Sequence, residues 1–256
     1  MKTVNKIISI SLLMLCMGIS SGFAQSPEQF FKEGNDAYAK QDFQGAVDNY
    51  KQVLDAGMQS PEVYFNLANA YYKLNRVAPS IYNYEKALEL KPGDKEIKNN
   101  LAFAENMKVD AISPLPQSVF KRWYAAVLNL FDLDGWAILT VVLILLSMLA
   151  FILYYFTYST TRKRLLFTTS FVALGLGLFG LLMAFRYQAK MNNEQYAVVF
   201  AKEAQVKSGP NLASDEAFVL HEGTKVGILE VNGDWKLIKL ADGSEGWIPS
   251  TDIKEL

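Results

Sequence analysis

Thiol and imidazole chemistry have almost nothing to work with in this chain. Of its 256 residues, one is cysteine, Cys16, and one is histidine, His221. Cys16 lies within residues 1–24, which read as a secretory signal. Lys2 and Lys6 supply a positive n-region, residues 7–17 an apolar core, and Gly22-Phe23-Ala24 small residues at the two positions a signal peptidase reads. Cleavage is expected before Gln25, with an uncleaved anchor helix as the alternative. A lipoprotein signal fits less well, because the bulky Leu15 precedes Cys16. Once the signal is removed no cysteine remains, which excludes thiol redox chemistry, thiolate metal sites and intramolecular disulfides. A hydrolase would need a nucleophile–base pair or a metal cluster, and the remaining carboxylates, lysines, serines and threonines form no such constellation. No enzymatic activity, cofactor or metal is therefore expected. Net charge is −1, with no basic patch interleaved with aromatics, so nucleic acid is not an expected partner.

Charge is also missing from the middle of the chain. Between Trp136 and Phe185 the only charged residues are Arg162, Lys163 and Arg164. The uncharged runs 136–158 and 165–185 are each long enough, at about 1.5 Å per residue, to cross a hydrocarbon core of roughly 30 Å, which places transmembrane helices over 136–158 and 165–187. They read as a transmembrane hairpin around a short cytoplasmic loop, 159–164, which leaves everything else on one side. The signal would send that side out of the cytoplasm, and Arg162-Lys163-Arg164 then obeys the positive-inside rule. Trp123, Tyr124, Trp136 and Tyr187 suit the outer interfacial belt, and Tyr154, Tyr155 and Tyr158 the inner one. The run Gly175-Leu176-Gly177-Leu178-Phe179-Gly180 matches G-x-G-x-x-G formally. It lacks the preceding strand and soluble βαβ setting that dinucleotide binding needs. Helical spacing suggests instead a small-residue face, Thr169, Ala173, Gly177, Gly180 and Ala184, against which another helix can approach closely. The expected neighbour is the first span near Ser147 and Ala150, with a partner protein as the alternative.

Before the hairpin the chain repeats itself at a spacing of 34. Ser26-Pro27-Glu28 recurs as Ser60-Pro61-Glu62, Asn35 as Asn69, Tyr38 as Tyr72, Tyr50 as Tyr84, and Leu54 as Leu88. Gly34 maps to Ala68 and then Ala102. Such a period marks a helical solenoid. Ser26 and Ser60 are N-cap candidates, each followed by proline and then glutamate, and Asp94 can cap a third helix. Helices are expected over 27–40, 43–55, 61–74, 77–90 and 95–108. Together they form an all-α domain over 25–110, with repeats 27–60 and 61–94 and a capping helix 95–108. Residues 66–74 and 84–92 carry a pattern that resembles the tetratricopeptide repeat (TPR). That resemblance implies a protein- or peptide-binding scaffold whose groove is lined by Asn35, Tyr38, Phe65, Asn66, Asn69, Tyr72 and Lys73. A carboxylate clamp is not matched, since Phe31 and Glu96 stand where basic residues would be needed.

Ala111-Ile112-Ser113-Pro114-Leu115-Pro116 is a stiff break. Beyond it, Phe120, Trp123, Tyr124, Val127, Leu128 and Phe131 share one helical face, which suits a helix lying in the membrane interface. Residues 111–135 thus form a linker and interfacial helix, and Asp134 could cap the first span.

After the hairpin the periodicity becomes that of short strands. Asn232-Gly233-Asp234 and Asp242-Gly243 supply turn signals over 194–256. About 60 residues of this kind suggest a small, highly curved barrel. The motifs Val206-Lys207-Ser208-Gly209-Pro210, Gly233-Asp234-Trp235 and Gly246-Trp247-Ile248-Pro249 resemble the bacterial SH3 (SH3b) family, with Lys207 in place of a common arginine. The resemblance implies an envelope module that binds peptides or cell-wall components. Trp235 and Trp247 are candidate ligand-platform residues, with partial burial in the barrel as the alternative. His221 is expected to be solvated in a loop.

Taken together the chain reads as a multidomain membrane protein: an all-α TPR solenoid, a two-helix transmembrane hairpin and an all-β SH3-like small barrel. This order resembles the BatE family of Bat (aerotolerance) operon proteins. That would imply an inner-membrane scaffold, with both soluble modules periplasmic, working with von Willebrand A-type membrane proteins and, indirectly, a MoxR-type ATPase. The alternative is a cell-wall-binding or stress-sensing protein that acts through SH3b.

Overall fold

The computed structural model describes residues 26–193 and 195–256. The expected signal, 1–24, lies outside them. The chain divides into two compact units between Ala104 and Glu105.

The first unit is a helical stack of α1 (Pro27–Ala39), α2 (Phe43–Asp55), α3 (Pro61–Lys73), α4 (Val77–Leu90) and α5 (Lys95–Glu105). The starts follow the cap chemistry. Ser26 Oγ accepts the Gln29 N–H, Ser60 Oγ accepts the Val63 N–H, and Asp94 Oδ1 accepts the N–H groups of Glu96 and Ile97. These bonds satisfy donors that a helix N-terminus leaves open. The turns also repeat: Gln41 and Asn75, 34 apart, both take positive φ, 64° and 58°, to reverse the chain between paired helices. Packing follows the same period. Tyr50 and Tyr84 are both 1 % exposed, and each stands 5.9 Å from a phenylalanine ring, Phe31 and Phe65 respectively. Gly34 is where the first pair closes, since a Cβ there would lie 2.6 Å from Tyr50 Cε1. Val47, Val53, Val63 and Leu67 complete that core.

The second unit begins with α5's last residue and a linker, then α6 (Val119–Leu128), α7 (Leu133–Phe156) and α8 (Thr160–Asn193). Ser118 caps α6. Phe120 and Trp123 on α6 are exposed, while Leu128 is buried. Asp132, rather than Asp134, caps α7, accepting the Gly135 N–H at 2.8 Å. Both α7 and α8 are long and apolar enough to cross a membrane. They pack antiparallel, and the chain between them is shorter than expected. Arg162, Lys163 and Arg164 already belong to the start of α8, and only residues 157–159 are non-helical.

The seam between α7 and α8 runs through Trp136, Thr140, Ser147 and Ala150 on one side and Ser170, Ala173, Gly177, Gly180 and Ala184 on the other, all buried. Thr169, expected on this face, is exposed, and Ser170 takes its place. Positions 170, 173, 177, 180 and 184 alternate steps of three and four. That average of 3.5 keeps a seam facing a supercoiling partner, whereas starting at Thr169 breaks the alternation. Ser147 and Ser170 bond reciprocally, each Oγ donating to the other's backbone carbonyl at 2.9 and 3.0 Å. Gly180 and Gly177 sit against Thr140 and Ile144, so the small-residue face is covered from within the chain. Trp136 is 3 % exposed and its indole N–H donates to the Leu128 carbonyl, so it is an internal strut rather than an interfacial anchor.

The C-terminal part is a seven-stranded antiparallel sheet, β1 (Gln195–Val199), β2 (Glu203–Lys207), β3 (Glu216–His221), β4 (Lys225–Asn232), β5 (Trp235–Lys239), β6 (Glu245–Pro249) and β7 (Ile253–Glu255). The order is β3-β2-β6-β5-β4-β1-β7. Contrary to the expected barrel, the sheet is not closed: β3 pairs with β2 alone and β7 with β1 alone. Register shifts at Val206/Lys207 and Ile228/Glu230 bend the strands, as bulges do, without joining the edges. Ala197, Val199, Val206, Val226, Ile238 and Ile248 form the core beneath it.

Candidate functional site

Three surfaces combine accessibility with organised chemistry. The first is the concave side of the helical stack. Asn35, Tyr38, Asn66 and Asn69, with Ala39 and Tyr50, line a recess of about 240 Å³. Tyr38, Phe65, Asn69, Tyr72 and Lys73 line a neighbouring one of about 310 Å³, joined there by Tyr84, Glu96, Asn100 and Phe103. The seven residues expected in the groove therefore all border these recesses. Asn100 and Phe103 were not anticipated. Their signal was available, because they stand 34 residues after Asn66 and Asn69 and carry the groove onto α5. Phe103 is 60 % exposed at the groove edge.

The groove asparagines also have internal partners. The Tyr50 hydroxyl donates to Asn35 Oδ1 at 2.8 Å, and the Tyr84 hydroxyl to Asn69 Oδ1 at 2.5 Å. Asn66 Nδ2 donates to Asn35 Oδ1 as well. The asparagine carbonyls thus satisfy the buried tyrosines and set the amide orientations of the groove floor. With Lys73 and Glu96 of opposite sign, the surface offers amide, aromatic and apolar contacts rather than a field of one charge. That combination suits an extended peptide more than an ionic ligand.

Burial raises both tyrosine hydroxyls, Tyr50 to about 12 with Tyr38 adding to the effect against an opposing hydrogen bond from Asn66, and Tyr84 further still. An unfolded tyrosine ionises near about pH 10. The folded value is the higher one, so the associated stability is fully present below about pH 10 and is lost as pH rises through the folded values. Alkaline titration of the full chain, followed by helical circular dichroism, should show the stack losing stability from about pH 10 upward. A Tyr50→Phe/Tyr84→Phe chain should show a shallower loss over the same range, and identical slopes would contradict this account.

The second surface is the outer face of β5 and β6. Trp235 lies opposite Pro249 and Leu237 opposite Trp247, so both tryptophans project from the same side of the sheet. Lys207 on β2 lies opposite Trp247. A recess of about 310 Å³ is lined by Trp235, Pro249, Lys207, Gln205, Leu212 and other residues there. Each tryptophan is half-buried, so the platform and packing readings coexist.

The third surface was not foreseen. His221, expected in a solvated loop, ends β3 and is bound to the linker. Its backbone N–H donates to Asp110 Oδ2 at 2.7 Å, and its ring Nδ1 lies 2.7 Å from Asp110 Oδ1. The Thr224 hydroxyl donates to Asp110 Oδ2 at 2.6 Å. Desolvation would raise the Asp110 carboxyl, but the hydrogen bonds from Thr224 and from the backbone and ring of His221 outweigh it and hold the group below its ordinary range. The contact spans 111 residues of chain, so no local pattern could have announced it. Among the described residues no group of three or more histidine, cysteine, aspartate or glutamate side chains could hold a metal ion.

Comparison with known proteins assigns the modules. The tetratricopeptide repeat model matches residues 61–94, and a second TPR model matches 34–75. The bacterial SH3 domain model matches residues 202–254. No curated protein matches the chain. Among solved structures, one from work titled "Molecular features of the UNC-45 chaperone critical for binding and folding muscle myosin" is similar at 17 % identity and a TM-score of 0.31. The match covers 58 % of this chain and 14 % of that one.

Proposed function

We propose that this chain is a non-enzymatic envelope scaffold. Its two apolar helices anchor it in the inner membrane, and its TPR and SH3b modules bind protein partners on the periplasmic face. The observation that carries the reading is the continuous groove of Tyr38, Phe65, Asn69, Tyr72, Asn100 and Phe103, built at one repeating register and open to solvent along its edge. The order of modules further supports membership of a Bat-type aerotolerance complex, with von Willebrand A-type membrane proteins as partners.

A photo-crosslinker placed at Tyr72 or Phe103 in living cells should capture a discrete protein, of von Willebrand A type if the Bat reading is right. The same probe at Lys51, on the exposed side of α2, should capture far less. Adducts no stronger than those at Lys51 would sink the scaffold reading. A reporter active only outside the cytoplasm, fused after Leu256, should be active, and silence would reverse the orientation.

The shared face of Trp235 and Trp247 supports a second reading, in which SH3b binds cell-wall peptides and is the primary reader. Recovery with peptidoglycan that survives changes at Asn69 and Tyr72 but is lost with Trp235→Ala would favour it.

A further inference from the structure

The linker between the helical stack and α6 does not simply span a gap. Asp110 is held by the backbone and ring of His221 and by the Thr224 hydroxyl, and its side chain is only 12 % exposed. Two residues on, Ile112 packs against the sheet core. Pro114 follows two residues later, and the Leu115 N–H then donates to the Ala241 carbonyl at 3.1 Å. The Leu115 side chain rests on Gly243, where an added Cβ would lie 2.8 Å from Leu115 Cδ1. Gly243 has a φ of +90°, so the close approach and the backbone conformation both call for glycine.

A charged anchor, an apolar side chain packed against the core, a proline-stiffened backbone and a main-chain hydrogen bond are the components by which domains hold peptide ligands. We propose that the SH3-like sheet carries an aspartate-anchored peptide site, formed by His221, Thr224, Ala241 and Gly243, that residues 110–115 fill as an internal ligand. The partner it fits is a protein segment with aspartate, an aliphatic residue two positions on, proline two further, and leucine after that. The site is separate from the tryptophan platform, since neither Trp235 nor Trp247 contributes to it.

The internal strap blocks the site without filling all of it. A cavity of about 680 Å³ lies alongside, bounded by Ile112 and Pro114 from the strap and by Ile228, Leu229 and Leu240 from the sheet. A segment that keeps this pattern but carries a longer aliphatic side chain, such as methionine, at the position of Ile112 would bury surface that the strap leaves open. That gain can offset the strap's advantage of being tethered, which for a short connection corresponds to an effective concentration on the order of millimolar. An external segment would therefore release residues 110–115.

The test uses the full chain in detergent and a fluorescent peptide of residues 109–116. An Asp110→Asn/Ile112→Ser chain, with its own strap weakened, should bind the peptide at least about tenfold more tightly than the unaltered chain does. The same peptide with asparagine in place of its aspartate should bind at least about tenfold worse. Equal affinity for the two peptides, or no binding to the altered chain, overturns the proposal. If that chain does not fold, one with its natural strap and a specific-protease site inserted after Gln117 decides the matter. Cleaved and diluted, it must take up the aspartate peptide in preference to the asparagine one, and failure to do so overturns the proposal. Either result leaves the reading of the TPR groove unaffected.

Discussion

Gly246→Ala is expected to destabilise the C-terminal sheet by about 3 kcal/mol, at the upper end of what overpacking costs. A Cβ on Gly246 would lie 2.5 Å from Val206 Cγ1 and 3.2 Å from the Lys207 carbonyl oxygen. Val206 has no exposed surface and is part of the sheet core, so its methyl has nowhere to turn. The second obstacle is backbone. Relieving both would move β6 away from β2, where Lys207 and Trp247 pair. Gly227→Ala is the control. Gly227 sits in β4, also between two strands, yet its Cβ would meet nothing closer than the Lys239 carbonyl at 3.7 Å. That substitution should change stability by less than about 0.5 kcal/mol. Hydrogen exchange across 195–256 in the full chain separates the two. If Gly246→Ala exchanged as slowly as the unaltered chain, the packing account of this glycine would be wrong.

Gly34→Val should have an effect of similar size at the other end of the molecule, roughly 3 kcal/mol from overpacking together with the poorer helix propensity of a β-branched residue. The closest approach is to the Tyr50 ring at 2.6 Å. That ring is fixed by its hydroxyl bond to Asn35 and by Phe31. The second repeat provides an internal comparison. It has Ala68 at the matching position, fully buried, together with the equivalent Tyr84. One methyl group is therefore compatible with this architecture after a small shift of the helices. Gly34→Ala should cost less than about 1 kcal/mol, because its gain in helix propensity opposes the crowding. A valine has no such precedent in either repeat. In a stack where each helix contacts mainly its neighbours, damage should concentrate in α1 and α2 while α4 and α5 persist. Limited proteolysis should cut within 26–56 first, and uniform cleavage across the stack would argue against this local picture.

The starts of the TPR helices were legible because their signals are local and duplicated, whereas the last helix, which has no second copy to check its end, stops at Glu105 rather than at the expected 108. Serine caps, the spacing of 34 and the paired tyrosines each appear twice, so each copy checks the other. Groove positions follow from that register, and Asn100 and Phe103 share it, but the residue type changes in the third copy, where Phe103 stands at the spacing of Asn35 and Asn69. The apolar helices were equally visible from the absence of charge. Composition alone could not choose between Thr169 and Ser170, since both are small and polar. The α7–α8 seam decided it, because only Ser170 keeps the alternation of three and four and meets Ser147 across the interface.

The C-terminal sheet was recognisable from its turns and motif residues, but its closure was not. Strand propensity is local, whereas closure depends on whether the two edge strands, β3 and β7, meet. The role of His221 was hidden for the same reason. A lone histidine carries no pattern, and its partner Asp110 stands on the far side of the apolar hairpin in sequence. The sequence by itself determined the repeat period, the apolar helices, the strand segments and the glycine-bearing turns, all of which are written in neighbouring residues. Only the tertiary structure decided which small residues form the helix seam, that the sheet stays open, and that residues 110–115 lie against it. Each of those depends on groups brought together from distant parts of the chain, where geometry rather than local pattern selects the partner.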